Sequence, residues 1–385
     1  MNGFRGLLIT AGWLLFGTLC WSVVTTPRPA TALQTMEDFN AYYLASQAWQ
    51  AGESIYRPNV TTAIQHAYLY PPLLAQLTAP LTRLDFAAAS RVWLLLSLGL
   101  FFATLYALAR QIPRRRASDL LMLSPLLFMP VHLAFHSGQV SILMLALLSG
   151  VWIFRKQDRG FAAGCLLALA CWIKVYPAFL VVYFLWRRDW PVVKGVAVAG
   201  GALGLLQLAL SPQDFLFYFT SVLPQLNAEG QPMLNQSGAS TLGFAQLIAP
   251  SVAQPLRWLL SLGCVAGALW LSRRSNGRTF GLEFGLALIT AAVIGATYLL
   301  TGWVNLSLLL AILLSVDRRA RTWVVSAVVY AVLTGVPLLR LGVLPRGSSG
   351  WLDTLPFLAF MLVWGYMAWL RLRRGRALET GAAAV

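Results

Sequence analysis

The chain has 385 residues, of which 58% are hydrophobic and 11% charged, and it carries 15 Trp. A soluble domain cannot hide that much apolar surface, so the sequence is that of a polytopic membrane protein, with no room for a separate soluble catalytic domain. Its formal charge of +16 sits mostly in clusters between apolar runs, where it anchors topology; nucleic-acid binding is excluded as its explanation.

The first apolar run, 7–24, follows Arg5. It is as long as a membrane span and has no small-x-small cleavage site, so it is read as a retained first helix rather than a signal peptide. Further runs fall near 90–109, 119–135, 140–154, 160–173, 176–186, 192–210, 254–271, 280–299, 303–316, 322–339 and 354–370. These predict an all-α bundle of about 11–12 transmembrane helices. The basic clusters at 110–116, 155–159, 187–194, 273–278, 318–321 and 371–376 face the cytoplasm by the positive-inside rule, and both termini lie with them. The segment 160–186 has such clusters at both ends. It is therefore expected to form two short helices meeting near Lys174-Val175-Tyr176-Pro177 on the far side. Spans this short cannot cross a flat bilayer upright and suit helices around a cavity.

The loops opposite the basic clusters are unequal. Residues 25–89 form the longest and 211–253 the second, and both are rich in polar, aromatic and Pro residues. Function is expected on that outer face. No internal repeat is evident. Residues 1–376 read as a single membrane domain and 377–385 as a disordered tail. Cys20, Cys165, Cys171 and Cys264 all lie in apolar stretches and read as small core residues, not a disulfide framework.

Five constellations can carry chemistry. Acids are scarce, 13 against 29 basic residues. Yet Glu37-Asp38 opens the first outer loop with almost no basic company and is followed by Phe39, Tyr42 and Tyr43. One reading is a capping box, with Thr35 as N-cap and Asp38 three residues on. The other is a general base at the membrane boundary, made more basic by partial desolvation. The two are compatible. Tyr68-Leu69-Tyr70-Pro71-Pro72 fixes a bend before an amphipathic segment at the interface. His132 and His136-Ser137-Gly138-Gln139 place two His at i, i+4, but no third ligand is near, so polar contact with a sugar or phosphate fits better than a metal. Lys174 lies between apolar residues on both sides; it either snorkels to the interface or holds a lipid phosphate. Asn235-Gln236-Ser237 lies in the second outer loop and also fits a glycosylation sequon.

In order, Asp38, Tyr42-Tyr43-Leu44-Ala45, Ala51-Gly52-Glu53-Ser54-Ile55-Tyr56, Tyr70-Pro71-Pro72, Gly138-Gln139, Ala163-Gly164, Ile173-Lys174, Pro177 and Asn235-Gln236-Ser237 resemble the motif string of glycosyltransferase family 87, the polyprenol-phosphate-mannose-dependent enzymes. The resemblance covers about residues 1–245. It implies the GT-C architecture, a helical membrane bundle with an outward-facing catalytic cavity. It also implies a polyprenyl-phosphate-sugar donor, and a lipid-linked or polysaccharide acceptor outside the cell membrane. By the same resemblance Asp38 is the catalytic base and Lys174 a phosphate contact. Glu37, Tyr42, Tyr43, Tyr70, His136, Gln139, Asn235, Gln236 and Ser237 are candidate substrate contacts. Lipid phosphate leaves readily, so no metal or other cofactor is required. The later spans lack the Trp-x-His-His-like patch of several relatives; the comparable stretch, Thr301-Gly302-Trp303-Val304-Asn305, has no histidine.

The rival from another class is a carrier or flippase for a lipid-linked or small polar substrate. A carrier is expected to distribute ionisable groups through its spans and to show symmetric halves. Here the spans hold almost no acids, Glu283 being the exception, and the halves are dissimilar. A non-catalytic scaffold is the third possibility, and it would tolerate loss of Asp38.

Overall fold

The computed structural model describes residues 2–25, 35–56, 68–226, 240–273, 279–295, 304–317, 319–342 and 352–379. Among them every regular element is helical. The chain opens with α1 (Asn2–Thr25), then the short α2 (Glu37–Gln50) and α3 (Pro72–Thr78) of the first polar loop. The long α4 (Phe86–Ala109) starts at Asp85, whose carboxylate accepts the Ala88 N–H at 2.7 Å and so caps the helix. Next come α5 (Arg115–Leu123), α6 (Met129–Ser137), α7 (Ser141–Lys156), α8 (Gly160–Ile173), α9 (Ala178–Trp186) and α10 (Trp190–Leu210). The second polar loop holds α11 (Pro212–Phe217), α12 (Leu223–Leu226) and α13 (Thr241–Ile248). The last part is α14 (Ala253–Leu271), α15 (Phe280–Ile294), α16 (Leu306–Val316), α17 (Ala320–Gly342) and α18 (Leu355–Glu379).

Four helical stretches are long and apolar enough to cross a bilayer: Phe86–Ala109, Trp190–Leu210, Pro250–Leu271 and Leu352–Arg374. Shorter apolar helices surround them, including Gly160–Ile173, Phe280–Ile294 and Leu306–Val316. Lipid-facing chemistry is plain on α10, where Leu205, Leu206, Leu208 and Leu210 lie exposed; in lipid such a surface is favourable. The polytopic, all-α expectation stands. The hairpin expected over 160–186 is present, with α8 and α9 separated by residues 174–177, where Lys174 is extended and the chain then turns through Pro177 into α9.

Two boundaries differ from the sequence expectation. The stretch 119–135 is not one straight helix. The Ser124–Leu126 turn carries Pro125, and the helices on either side meet at a 49° bend, as expected where Pro removes a backbone donor. At the other end, α18 continues to Glu379, into the stretch expected to be tail.

Helices α8 and α10 pack backbone to backbone. A Cβ added to Gly164 would lie 2.1 Å from the Val192 carbonyl, and one on Gly195 would lie 2.1 Å from that of Phe161. Only glycine permits that approach, the usual device of helix pairs in membranes. Trp172 Nε1 donates to the Gly200 carbonyl at 3.0 Å further along the same seam.

Near the basic turns, Glu283 is wholly buried between two arginines. Arg187 Nη1 and Arg371 Nε each reach it at 2.7 Å, and Thr279 Oγ1 donates at 2.8 Å. This triad joins the end of α9 to α15 and α18.

Candidate functional site

The first turn of α2 carries Glu37 and Asp38, both half-buried. Met36, not Thr35, occupies the N-cap, with a left-handed φ of 61° and no side-chain cap bond. The helix start is held from outside instead: the Met36 N–H donates to the His136 carbonyl at 2.8 Å. Beneath it lies Gly138, with φ 69°, where a Cβ would meet Met36 Sδ at 2.6 Å and Phe39 Cβ at 2.7 Å. Trp93 completes the seat, since its Nε1 donates to the Gly138 carbonyl at 2.9 Å and its ring stacks on Phe39 at 5.2 Å. The Ser137-Gly138-Gln139 motif is thus the socket in which the acidic turn is seated. Trp93 was not legible as part of it, because a Trp in a long apolar helix carries no local signal.

Tyr42 is fully buried one turn further along α2. Its hydroxyl meets that of Tyr70 at 3.2 Å and accepts the Val140 N–H at 3.3 Å. Tyr43 turns the other way, its hydroxyl donating to the Leu84 carbonyl at 2.7 Å. Gln139 is buried, with Oε1 accepting from Ser141 at 2.6 Å. His132 contacts the Leu126 carbonyl at 3.1 Å and sits edge-on to Phe16, which makes it a packing residue. Asn235, Gln236 and Ser237 lie outside the described residues.

The Tyr-x-Tyr-Pro-Pro bend is fixed by its own aromatic hydroxyls. Tyr68 Oη donates to the Pro71 carbonyl at 2.7 Å and accepts the Ala75 N–H at 2.9 Å; Tyr56 Oη donates to the Tyr70 carbonyl at 2.6 Å. The bend presents the Tyr70 ring to Lys174, whose Nζ lies 5.1 Å from the ring centroid. A cation over an aromatic face is stabilised by the ring's quadrupole. Lys174 belongs to the extended connection between α8 and α9, at the end of α8 remote from the basic turn. Burial lowers its ammonium from the ordinary 10.5 to about 8, and the negative charge of Asp38 opposes that fall. Carboxylate and ammonium, more than a hundred residues apart in sequence, therefore share one electrostatic site.

The two polar loops are pinned together beside it. Ser54 Oγ donates to Asp214 Oδ1 at 2.8 Å, and Trp49 Nε1 to Ser211 Oγ at 2.8 Å. Gln76 Nε2 donates to Ser211 at 3.2 Å, and Gln207 Nε2 to Gln76 Oε1 at 2.6 Å. Burial raises the Asp214 carboxyl, and hydrogen bonds from Ser54 and the Ile55 backbone oppose that rise. Asp214 carried no signal in the sequence beyond a helix-start pattern.

Residues 68–301 match glycosyltransferase family 87. The chain belongs to that family. The family 87 match includes Tyr70, Gln139 and Lys174 and begins after Asp38. Two polyprenol-phosphate-mannose-dependent alpha-(1-2)-phosphatidylinositol mannoside mannosyltransferases are similar. That of Mycobacterium tuberculosis is 26% identical over 258 residues, 62% of this chain and 60% of the relative. That of Mycolicibacterium smegmatis is 24% identical over 289 residues, 70% of this chain and 62% of the relative. The alignments thus span about three fifths of these relatives' length. The crystal structure of ArnT from Cupriavidus metallidurans bound to undecaprenyl phosphate is similar in fold, with a TM-score of 0.52 and 18% identity, over 98% of this chain and 79% of that one. This family 87 member accordingly has the GT-C membrane fold.

Proposed function

We propose that this chain is a membrane glycosyltransferase that moves a hexose, mannose by analogy with its relatives, from a polyprenyl-phosphate-sugar donor to a lipid-linked or polysaccharide acceptor. The observation that carries this reading is the shared site of Asp38 and Lys174, in which the carboxylate's charge acts on a deeply placed ammonium. Such a pair supplies the two groups that transfer from a lipid phosphate needs. The acceptor hydroxyl attacks the anomeric carbon from the face opposite the phosphate. Asp38 takes its proton as the new C–O bond forms. The bond from carbon to phosphate oxygen breaks, its electron pair stays on the phosphate, and Lys174 neutralises the charge that develops. Inversion at the anomeric carbon follows. In this reading the site faces outward and both termini are cytoplasmic, since the basic turns gather at the opposite end of α8 and α9.

The carrier alternative is disfavoured by Glu283. This buried acid already has both oxygens engaged by Arg187 and Arg371, which fits a structural ion pair better than a transport site.

The test is transfer of radiolabelled mannose from polyprenyl-phosphate-mannose to membrane acceptors by wild type and Asp38→Ala. Transfer lost in the variant with donor binding retained supports Asp38 as base; equal transfer by both removes it from catalysis. Absence of transfer by wild type defeats the mannosyl-donor assignment and returns weight to a carrier.

A further inference from the structure

Asn305 is 2% exposed and stands at the N-cap of α16. Its Nδ2 donates to Tyr176 Oη at 2.9 Å, while its Oδ1 is buried with no hydrogen-bond partner. Two ordinary outlets for that oxygen are unused. An N-cap Asn usually turns its carbonyl back onto a backbone N–H of the first turn, and this one makes no such bond. A buried carboxamide oxygen usually finds some other donor, and among the described residues there is none. Asn305 is also firmly held. Tyr176 is fixed on its other side by the end of α15, where a Cβ on Gly295 would come within 2.7 Å of Tyr176 Cβ. Tyr176 lies two residues beyond Lys174 in the connection between α8 and α9. A fixed and unsatisfied acceptor is therefore tied, through Tyr176, to the same short connection that carries the cation assigned to the phosphate.

With Nδ2 donating to Tyr176, the missing partner of Oδ1 is a donor. A phosphodiester offers only acceptor oxygens, so it cannot satisfy Asn305; a sugar hydroxyl can. We propose that Asn305 Oδ1 accepts a hydrogen bond from a hydroxyl of the donor sugar whose phosphate Lys174 holds. The assignment rests on the transferase reading above. It divides the work at the site, with Lys174 sensing the lipid phosphate and Asn305 sensing that a hexose is attached to it.

The division is tested by binding to purified full-length protein, with undecaprenyl-phosphate-mannose and sugar-free undecaprenyl phosphate as probes. Asn305→Ala is expected to raise the Kd of the mannosyl lipid about tenfold while leaving that of undecaprenyl phosphate unchanged. The unchanged Kd also reports a folded site. Asn305→Asp keeps an acceptor oxygen in place, with Tyr176 turning its hydroxyl to donate to it, and is expected to retain most of the preference for the mannosyl lipid. Equal weakening of both lipids in the two variants, or no weakening in either, overturns the assignment of Asn305 and leaves the transferase reading standing. Wild-type protein that binds neither lipid overturns the transferase reading and this assignment with it.

Discussion

The Lys174 ammonium stands 5.1 Å from the centre of the Tyr70 ring, joining the bend of the first polar loop to the break between α8 and α9. The ring gives a cation already stripped of much of its water a face to rest against.

This setting predicts an unusual pH dependence for donor binding. Burial brings the ammonium down to about 8, so Lys174 is charged below that pH and neutral above it. Affinity for a phosphate donor should hold below pH 8 and fall as pH rises through it, far short of the 10.5 of an ordinary lysine. Bound phosphate favours the charged form and moves the midpoint of the complex upward. Donor KM measured across this range in wild type should show the step. Lys174→Ala should raise KM about 10- to 100-fold, the worth of one charge-assisted contact, and abolish the step.

Asp38→Asn preserves shape and removes the base. The expected loss is about 10²- to 10⁴-fold in kcat, far larger than that of Glu37→Gln on the same turn. Comparable losses for the two would mean that the turn acts through its overall charge, not through one proton acceptor.

Gly138→Ala should act on the acidic turn without touching either carboxylate. The added methyl meets Met36 and Phe39 inside 3 Å at a left-handed backbone position, a combination costing about 1–3 kcal/mol. A lower melting temperature accompanied by lower kcat is expected, since α2 must shift to accept the methyl. Thermal unfolding in detergent and initial rates on the same preparation check both.

Glu283→Ala leaves Arg187 and Arg371 buried side by side. Removing one partner of a buried ion pair costs about 3–5 kcal/mol, so this variant should be among the least stable single substitutions in the chain. Glu283→Gln keeps the shape and one acceptor oxygen, loses the acceptor facing one arginine, and should cost less than the alanine. The order of their melting temperatures decides whether the triad stabilises by charge or only by shape.

Much of the site was legible in the sequence because scarcity made it so. In a chain with 13 acids, an acidic pair without basic neighbours stands out, as does a lysine flanked by Ile173 and Val175. What the sequence could not supply was distance. That Asp38 acts on Lys174, that Trp93 seats the acidic turn and that Asp214 pins Ser54 all depend on helices remote in sequence meeting at one end of the bundle. Tyr43 shows the opposite case: adjacent to Tyr42 in sequence, it points to the other side of α2, because successive helical residues diverge by about 100°. Among the described residues helix boundaries followed the apolar runs closely except at Pro125, where a continuous run hid a bend, and at the C-terminal end of α18.

The break that carries Lys174 also bears on the timing of turnover. The glycine contact between α8 and α10 fixes the strut that ends at this residue, so its ammonium loses water once, during folding, and not at each encounter with substrate. On the assignment proposed above, an arriving donor sheds only its own hydration and meets a cation already in position. The same readiness acts against departure. When the sugar leaves, the lipid phosphate passes from a diester with one negative charge to a monoester approaching two, and the waiting cation grips the spent carrier harder than it gripped the donor. Release of that carrier into the bilayer is then expected to be slower than release of the intact donor.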